Sequence, residues 1–122
     1  MAVLKSSYLG IPVTDIQAAA EWYRKHFGFN VVTEDPIFLE LLTESGVRIC
    51  LSRHATKVNS HINLQSGPFP VQGFIVSDAE TVYQELKNDG VEVGKFFDYQ
   101  GKSFSFYDPD GNFIEVWSLL EG

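Results

Sequence analysis

The sequence has one cysteine, no long apolar run and few basic residues, and each shortage excludes a class of protein. Cys50 alone cannot form an intramolecular disulfide, so we expect a reducing, cytoplasmic location. No apolar run approaches the roughly 18 to 20 residues that cross a bilayer, and the first residues have no signal-peptide core, so no membrane partner is expected. Nine Lys and Arg against 16 Asp and Glu give a net charge of −7. No basic cluster is dense enough to follow phosphates, which argues against nucleic acid as a partner.

The remaining composition is that of a folded domain. The chain has 122 residues, of which 44% are hydrophobic and 14% aromatic. This length and this apolar content predict one domain, residues 1–122, with a real core. The acidic balance suits a neutral or cationic ligand better than a polyanion.

The first half predicts a strand, a helix and three more strands. The helix is expected to begin at Thr14 as N-cap, with Gln17 completing a capping box, and to end at Gly28. The predicted strands cover residues 8–13, 29–33, 38–43 and 47–52.

The second half repeats this order. Ser77 and Glu80 form a second predicted capping box, and Gly90 ends the second helix. The predicted strands cover residues 73–76, 91–93, 103–107 and 113–118.

An internal repeat organises the whole chain. Residues 10–15 parallel residues 73–78, and residues 44–51 parallel residues 109–116. One half is too small to cover its own sheet, so the two should pack together. The prediction is an α+β fold of two βαβββ modules that form a curved mixed sheet around a cleft, with helices on the outer face. Module one is about residues 1–53, the connection about 54–70 with a short strand at 62–64, and module two about 71–122.

The segment Asp108-Pro109-Asp110-Gly111-Asn112 predicts a tight turn that feeds the last strand. Proline fixes φ, while glycine and asparagine tolerate positive φ. The strand that follows is aromatic and β-branched except for Glu115 at its centre.

Three motifs resemble the vicinal oxygen chelate superfamily, which includes glyoxalase I, fosfomycin resistance proteins, extradiol dioxygenases and bleomycin-binding resistance proteins. They are the Gly-x-x-Val-[Ser/Thr]-Asp openings before each helix, Trp22-Tyr23 followed by Phe27-Gly28-Phe29, and residues 106–115. The resemblance implies a paired βαβββ fold whose concave sheet face holds a small-molecule ligand, often in a homodimer.

The resemblance also implies where a metal would bind. The metal enzymes of the superfamily use four positions on the first and last strands of the two halves, which here hold Tyr8, Val71, Cys50 and Glu115. Only Glu115 is a usual ligand, and a catalytic site needs about three. We therefore expect no metal cofactor. The alternative is a divalent metal such as Zn, Ni, Mn or Fe, held by Glu115 with Cys50, His61 or a partner chain.

Strand alternation predicts which side chains face the cleft. Phe113, Glu115 and Trp117 share one face of the last strand, while Ile114 and Val116 face the core. The same parity places Ser52, Ser103 and Ser105 toward the cleft, and it places the following residues in the core: Leu39, Leu41, Val47, Ile49, Leu51, Phe104 and Phe106. The predicted ligand-binding residues are Tyr8, Phe38, Glu40, Arg48, Cys50, Tyr107, Phe113, Glu115 and Trp117. Such an aromatic, acidic pocket suits a cationic or aromatic compound.

Plainer interpretations stay open for several of these residues. Glu115 could pair with Arg48 or Lys102, and the aromatic side chains could fill the sheet curvature or a dimer interface. His54 and His61 are either surface residues of the connection or metal-ligating and acid–base groups. Cys50 is a small buried hydrophobe rather than a nucleophile.

The sequence therefore favours a metal-independent small-molecule binding protein that sequesters a drug or toxin. The alternative is a metal-dependent lyase, isomerase or dioxygenase of the same superfamily, whose catalytic residues the sequence does not identify. A third hypothesis is a pseudoenzyme with a collapsed cleft.

Overall fold

The computed structural model of the protein describes residues 2–120. Met1, Glu121 and Gly122, at the outer ends of the two predicted modules, lie outside the described residues. The chain divides into two compact units, Met1–Val58 and Asn59–Gly122. Each unit contains one βαβββ module, as the internal repeat predicts.

Unit 1 is a four-stranded mixed sheet with one helix. Its elements are β1 Tyr8–Val13, α1 Ile16–Phe27, β2 Asn30–Glu34, β3 Phe38–Leu42 and β4 Arg48–Arg53. The strand order is β1-β4-β3-β2, with β1 parallel to β4 and the other pairs antiparallel.

Unit 2 repeats this sheet and adds a small hairpin before it. Its elements are β5 Ile62–Leu64, β6 Gly67–Phe69, β7 Gly73–Ile75, α2 Ala79–Asn88, β8 Phe97–Asp98, β9 Lys102–Tyr107 and β10 Phe113–Ser118. The strand order of the main sheet is β7-β10-β9-β8, with β7 parallel to β10. The hairpin of β5 and β6 contains the short strand predicted at 62–64.

The strand register confirms that the two halves are structural repeats. Gly10 on β1 lies opposite Cys50 on β4, and Gly73 on β7 lies opposite Glu115 on β10. Cys50 and Glu115 therefore occupy matching positions, as the repeat in the sequence predicts.

The core of each unit lies between its sheet and its own helix. In unit 1, Leu39, Leu41, Ile49 and Leu51 are fully buried, while α1 buries one apolar stripe that includes Tyr23. Side chains at alternate positions of a strand point to opposite faces, so the residues between these point away from the helix.

Unit 2 follows the same rule. Phe104 and Phe106 on β9 and Ile114 and Val116 on β10 are buried, together with Leu86 of α2. The predicted division between core and opposite face is confirmed for these strands.

Both helices begin one residue later than predicted. The N-caps are Asp15 and Asp78, whose carboxylates accept hydrogen bonds from backbone N–H groups of the first helical turn. Thr14 and Ser77 were wrong as caps because the neighbouring Asp offers a charged acceptor at the same end of the helix. Gly28 ends α1 in the left-handed conformation, as expected.

The partners predicted for those caps bond elsewhere. The Gln17 amide lies 3.5 Å from the Glu34 carboxylate, and Glu80 forms an ion pair with Lys102 at 2.8 Å. Neither side chain therefore completes the predicted capping box.

Two further predictions were wrong. Residues 91–93 form only an isolated bridge, Val93 to Phe106, and the strand beside β9 is Phe97–Asp98. Between the two contacts the Phe96 ring packs against Tyr83 of α2, with centroids 5.1 Å apart, and against Phe104 of β9, at 6.5 Å, so this stretch meets the sheet through side-chain packing rather than through a continuous ladder. Val47 is 45% exposed because β4 begins at Arg48 and Val47 still belongs to the turn.

The turn at residues 108–112 is organised by one buried carboxylate. Asp108 Oδ1 accepts hydrogen bonds from the backbone N–H of Asp110 at 3.0 Å and of Asn112 at 2.9 Å. Its Oδ2 accepts from Asn112 Nδ2 at 2.9 Å. Asp108 is 5% exposed and Asn112 is fully buried. This network fixes the direction in which the chain enters β10.

We expect Asp108→Ala to lower the free energy of unfolding by about 3 kcal/mol, because buried donors lose a charged acceptor. Asp108→Asn retains one acceptor oxygen and should cost less. Urea denaturation followed by circular dichroism measures both changes.

Asp35→Ala is the matched control, since Asp35 also accepts a turn N–H, from Ile37 at 3.1 Å, in a more exposed setting. It should cost about 1 kcal/mol or less. Equal losses for Asp108→Ala and Asp35→Ala would show that the buried network does not organise the turn.

Candidate functional site

The predicted site residues lie on the face of each sheet that points away from its helix, which we call the distal face. On unit 1 these residues are Tyr8, Phe38, Glu40, Arg48 and Cys50. On unit 2 they are Tyr107, Phe113, Glu115 and Trp117. Each set is therefore brought onto one surface by strand alternation.

The distal face of unit 1 carries a compensated charge. Arg48 Nη1 lies 2.6 Å from Glu40 Oε1, and the side chains are 47% and 25% exposed. The pair is on the surface and contributes little to stability, about 0 to 1 kcal/mol. It nevertheless offsets the negative charge of Glu40, so this face is less acidic than the sequence suggests.

Cys50 lies beside that pair, directly opposite Glu40 in the ladder. Partial burial, and next the negative charge of Glu40, raise the pKa of the Cys50 thiol. Both causes disfavour the thiolate, which is the form that attacks electrophiles or ligates metals. Cys50 is thus a poor nucleophile here.

Glu115 on the distal face of unit 2 is held by its neighbour two residues along the strand. Its carboxylate accepts a hydrogen bond from the Trp117 indole Nε1–H. Glycine stands beside it on β7, where a Cβ at Gly73 would come within 3.2 Å of the Glu115 carbonyl oxygen and 3.5 Å of its Cβ. The Trp117 indole therefore orients the carboxylate. The adjacent position of β7, Gly73, places no side chain beside it.

The basic residues considered as partners of Glu115 pair with other carboxylates. Arg48 pairs with Glu40, and Lys102 Nζ lies 2.8 Å from Glu80 Oε2. Within the described part of unit 2, no Lys or Arg forms an ion pair with Glu115.

His61 joins the aromatic end of the same face. Its ring centroid lies 6.0 Å from that of Phe113 and 6.4 Å from that of Tyr107, both edge-on. The ring centroids of Tyr107 and Phe113 are 4.7 Å apart, and the two residues lie opposite each other in the ladder. His61, Tyr107 and Phe113 form what we call the aromatic cluster.

Other residues from the sequence analysis lie apart from these contacts. His54 is exposed and its Nε2 lies 3.1 Å from Ser52 Oγ. Ser103 is on the distal face of unit 2 but is 7% exposed, whereas Tyr8 is 67% exposed. In residues 2–120, no helix is long and apolar enough to cross a membrane.

A protein-family model agrees with the βαβββ module found in each unit. The model for the Glyoxalase/Bleomycin resistance protein/Dioxygenase superfamily matches residues 5–116. The chain belongs to this superfamily.

Solved structures share this fold over nearly the whole chain. An antibiotic binding protein from Streptomyces, TnmS3, has a TM-score of 0.76 at 20% identity, covering 98% of this chain and 99% of that one. The fosfomycin resistance protein FosX from Listeria monocytogenes has a TM-score of 0.76 at 17% identity, covering 98% and 96%. Lactoylglutathione lyase from Agrobacterium tumefaciens has a TM-score of 0.71 at 17% identity, covering 95% of each chain. No curated protein matches the sequence.

The donor set does not fit the metal centre of the superfamily's enzymes. Of the four positions, Val71 has no donor atom and Tyr8 would have to ionise, which leaves Cys50 and Glu115, fewer than the roughly three protein ligands of a catalytic metal site. Among residues 2–120, no group of three or more His, Cys, Asp or Glu side chains is arranged to hold a metal ion.

Sequence reasoning treated His61 as a surface residue or as a metal-ligating or acid–base group, and it missed the place of His61 in the aromatic cluster. The position depends on hydrogen bonds between segments about fifty residues apart in sequence, which no local pattern reveals. It also missed Gly94, where an added Cβ would lie 3.7 Å from Phe113 Cζ.

We expect Cys50 to react with iodoacetamide more slowly than an unhindered thiol at pH 8, because its raised pKa leaves little thiolate. Glu40→Gln should lower that pKa and speed the reaction severalfold. The rate as a function of pH, followed by mass spectrometry, measures both effects.

Glu44→Gln is the control, because Glu44 is an exposed carboxylate in the turn between β3 and β4. It should leave the rate unchanged. A Cys50 that alkylates at neutral pH as fast as an unhindered thiol would contradict the assignment of a poorly ionised thiol.

Proposed function

We propose that the protein binds a small aromatic cation without a metal and that it acts by sequestering a drug or toxin. The observation that carries the proposal is the arrangement on β10. Glu115 stands between Phe113 and Trp117 on one face, and its carboxylate is oriented by the Trp117 indole.

Charge supports a cationic ligand. Glu40 is offset by Arg48, whereas Glu115 has no such counterion within the described part of unit 2. A hydrogen bond to a charged group contributes about 1.5 to 3 kcal/mol when it is formed away from water. Glu115 is half-buried, so a ligand cation would gain more from it than from an exposed carboxylate.

Aromatic rings on both sides of Glu115 support an aromatic ligand. Phe113 and Trp117 offer stacking surfaces and ring faces that attract cations, worth about 0.5 to 2 kcal/mol for each cation–π contact. Their half-buried state leaves part of each ring accessible. The TnmS3 structure, which shares this fold, is named as an antibiotic binding protein, and this supports a small-molecule ligand.

We assign the distal face of unit 1 a secondary role in ligand binding. Tyr8 and Phe38 expose aromatic surface, at 67% and 39%, on which a flat ligand could stack. The ion pair of Glu40 and Arg48 gives this face both signs of charge. A homodimer stays a prediction.

We expect biphenyl-4-ylmethylammonium and the cationic glycopeptide bleomycin to bind, and biphenyl-4-carboxylate, which has the same rings and the opposite charge, to bind at least tenfold more weakly. Glu115→Gln keeps an oxygen for the Trp117 indole but removes the charge, so it should weaken cation binding about tenfold or more. Isothermal titration calorimetry measures each dissociation constant.

Glu85→Gln makes the same charge change on an exposed side chain of α2 and should have no effect. Equal binding of the ammonium and carboxylate probes would contradict the proposal. Metal analysis of protein purified without chelator tests the enzymatic alternative. A stoichiometric divalent metal that Glu115→Gln removes would favour a lyase, isomerase or dioxygenase instead.

A further inference from the structure

We propose that His61 contacts the ligand and donates a hydrogen bond to it from Nε2. This inference rests on the proposed function and narrows it. The site would then select aromatic cations that carry a hydrogen-bond acceptor at the end of the molecule away from the positive charge.

One hydrogen bond determines which ring nitrogen of His61 carries the proton. The backbone N–H of Phe113 donates to His61 Nδ1 at 3.0 Å. A nitrogen that accepts from an N–H group has no proton of its own, so the neutral ring carries its proton on Nε2. His61 therefore presents a donor, not an acceptor, at Nε2.

The backbone on the N-terminal side of His61 is also fixed to the turn. Ser60 N donates to Asn112 Oδ1 at 2.9 Å, and Asn59 Nδ2 lies 3.3 Å from the carbonyl oxygen of Gly111. These bonds hold residues 59–61 against the turn that Asp108 organises. The His61 ring is thus pre-positioned, which lowers the entropy cost of binding through it.

The ring stands at one end of a line of side chains suited to a ligand. From His61 and Tyr107 the distal face continues through Phe113 and Glu115 to Trp117. Phe113 and Glu115 are two residues apart, which is about 7 Å along a strand. A ligand that reaches both His61 and Glu115 would therefore place its acceptor and its cation at opposite ends of an aromatic system.

A pair of probes tests this selectivity. The first is biphenyl-4-ylmethylammonium, and the second is its 4′-acetyl derivative, which adds a carbonyl acceptor at the far end. We expect the acetyl probe to bind wild-type protein about three- to tenfold more tightly than the parent probe, because one added hydrogen bond typically raises affinity by about that factor. In His61→Asn, whose side-chain oxygen can still accept from Phe113 N–H, the ratio of the two dissociation constants should fall to about one.

The outcomes separate this inference from the proposed function. If the parent probe binds and the ratio is the same in wild type and His61→Asn, the role of His61 is wrong and the binding function stands. If neither probe binds wild-type protein, both are wrong.

Nitrogen-15 NMR of wild-type protein gives a readout that does not depend on a variant folding. We expect Nδ1 of His61 to resonate as an unprotonated nitrogen and Nε2 as a protonated one. The Nε2 signal should move with the acetyl probe and not with the parent probe. A proton on Nδ1, or an Nε2 signal that neither probe moves, would overturn the inference.

Discussion

The Asp108 carboxylate is the group on which the organisation of unit 2 depends. It accepts three hydrogen bonds inside a buried turn, two from backbone N–H groups and one from the Asn112 amide. The same turn supplies the acceptors that hold residues 59–61, and it directs β10 so that Phe113 and Glu115 share the distal face. A buried polar network that is fully bonded in this way rigidifies its surroundings.

The two distal faces differ in whether their carboxylates have a basic partner. Two carboxylates, Glu40 and Glu115, were predicted to make an acidic pocket. Arg48 offsets Glu40, whereas Glu115 forms no ion pair with a Lys or Arg in the described part of unit 2 and is oriented by the Trp117 indole. Val71 has no donor atom and Tyr8 would have to ionise, so two of the four metal positions lack a usual ligand.

The sequence predicts the fold well because its strongest signals are local or repeated. Strand alternation alone separates the core of β10 from its distal face, since Ile114 and Val116 are fully buried. The caps were misplaced by one residue because Thr14 and Asp15 are both good caps and spacing cannot choose between them. His61 could not be placed because its position depends on Phe113 N–H, a contact between distant segments that leaves no local pattern.

The central claim is that an aromatic cation binds on the distal face of unit 2, next to Glu115. The chain has two tryptophans, Trp22 in α1 and Trp117 in β10, so a proton–nitrogen NMR spectrum contains two indole N–H signals. On addition of biphenyl-4-ylmethylammonium, the account predicts that the Trp117 signal shifts progressively to saturation while the Trp22 signal stays. A shift confined to Trp22, or no shift of either signal at saturating probe, would contradict it.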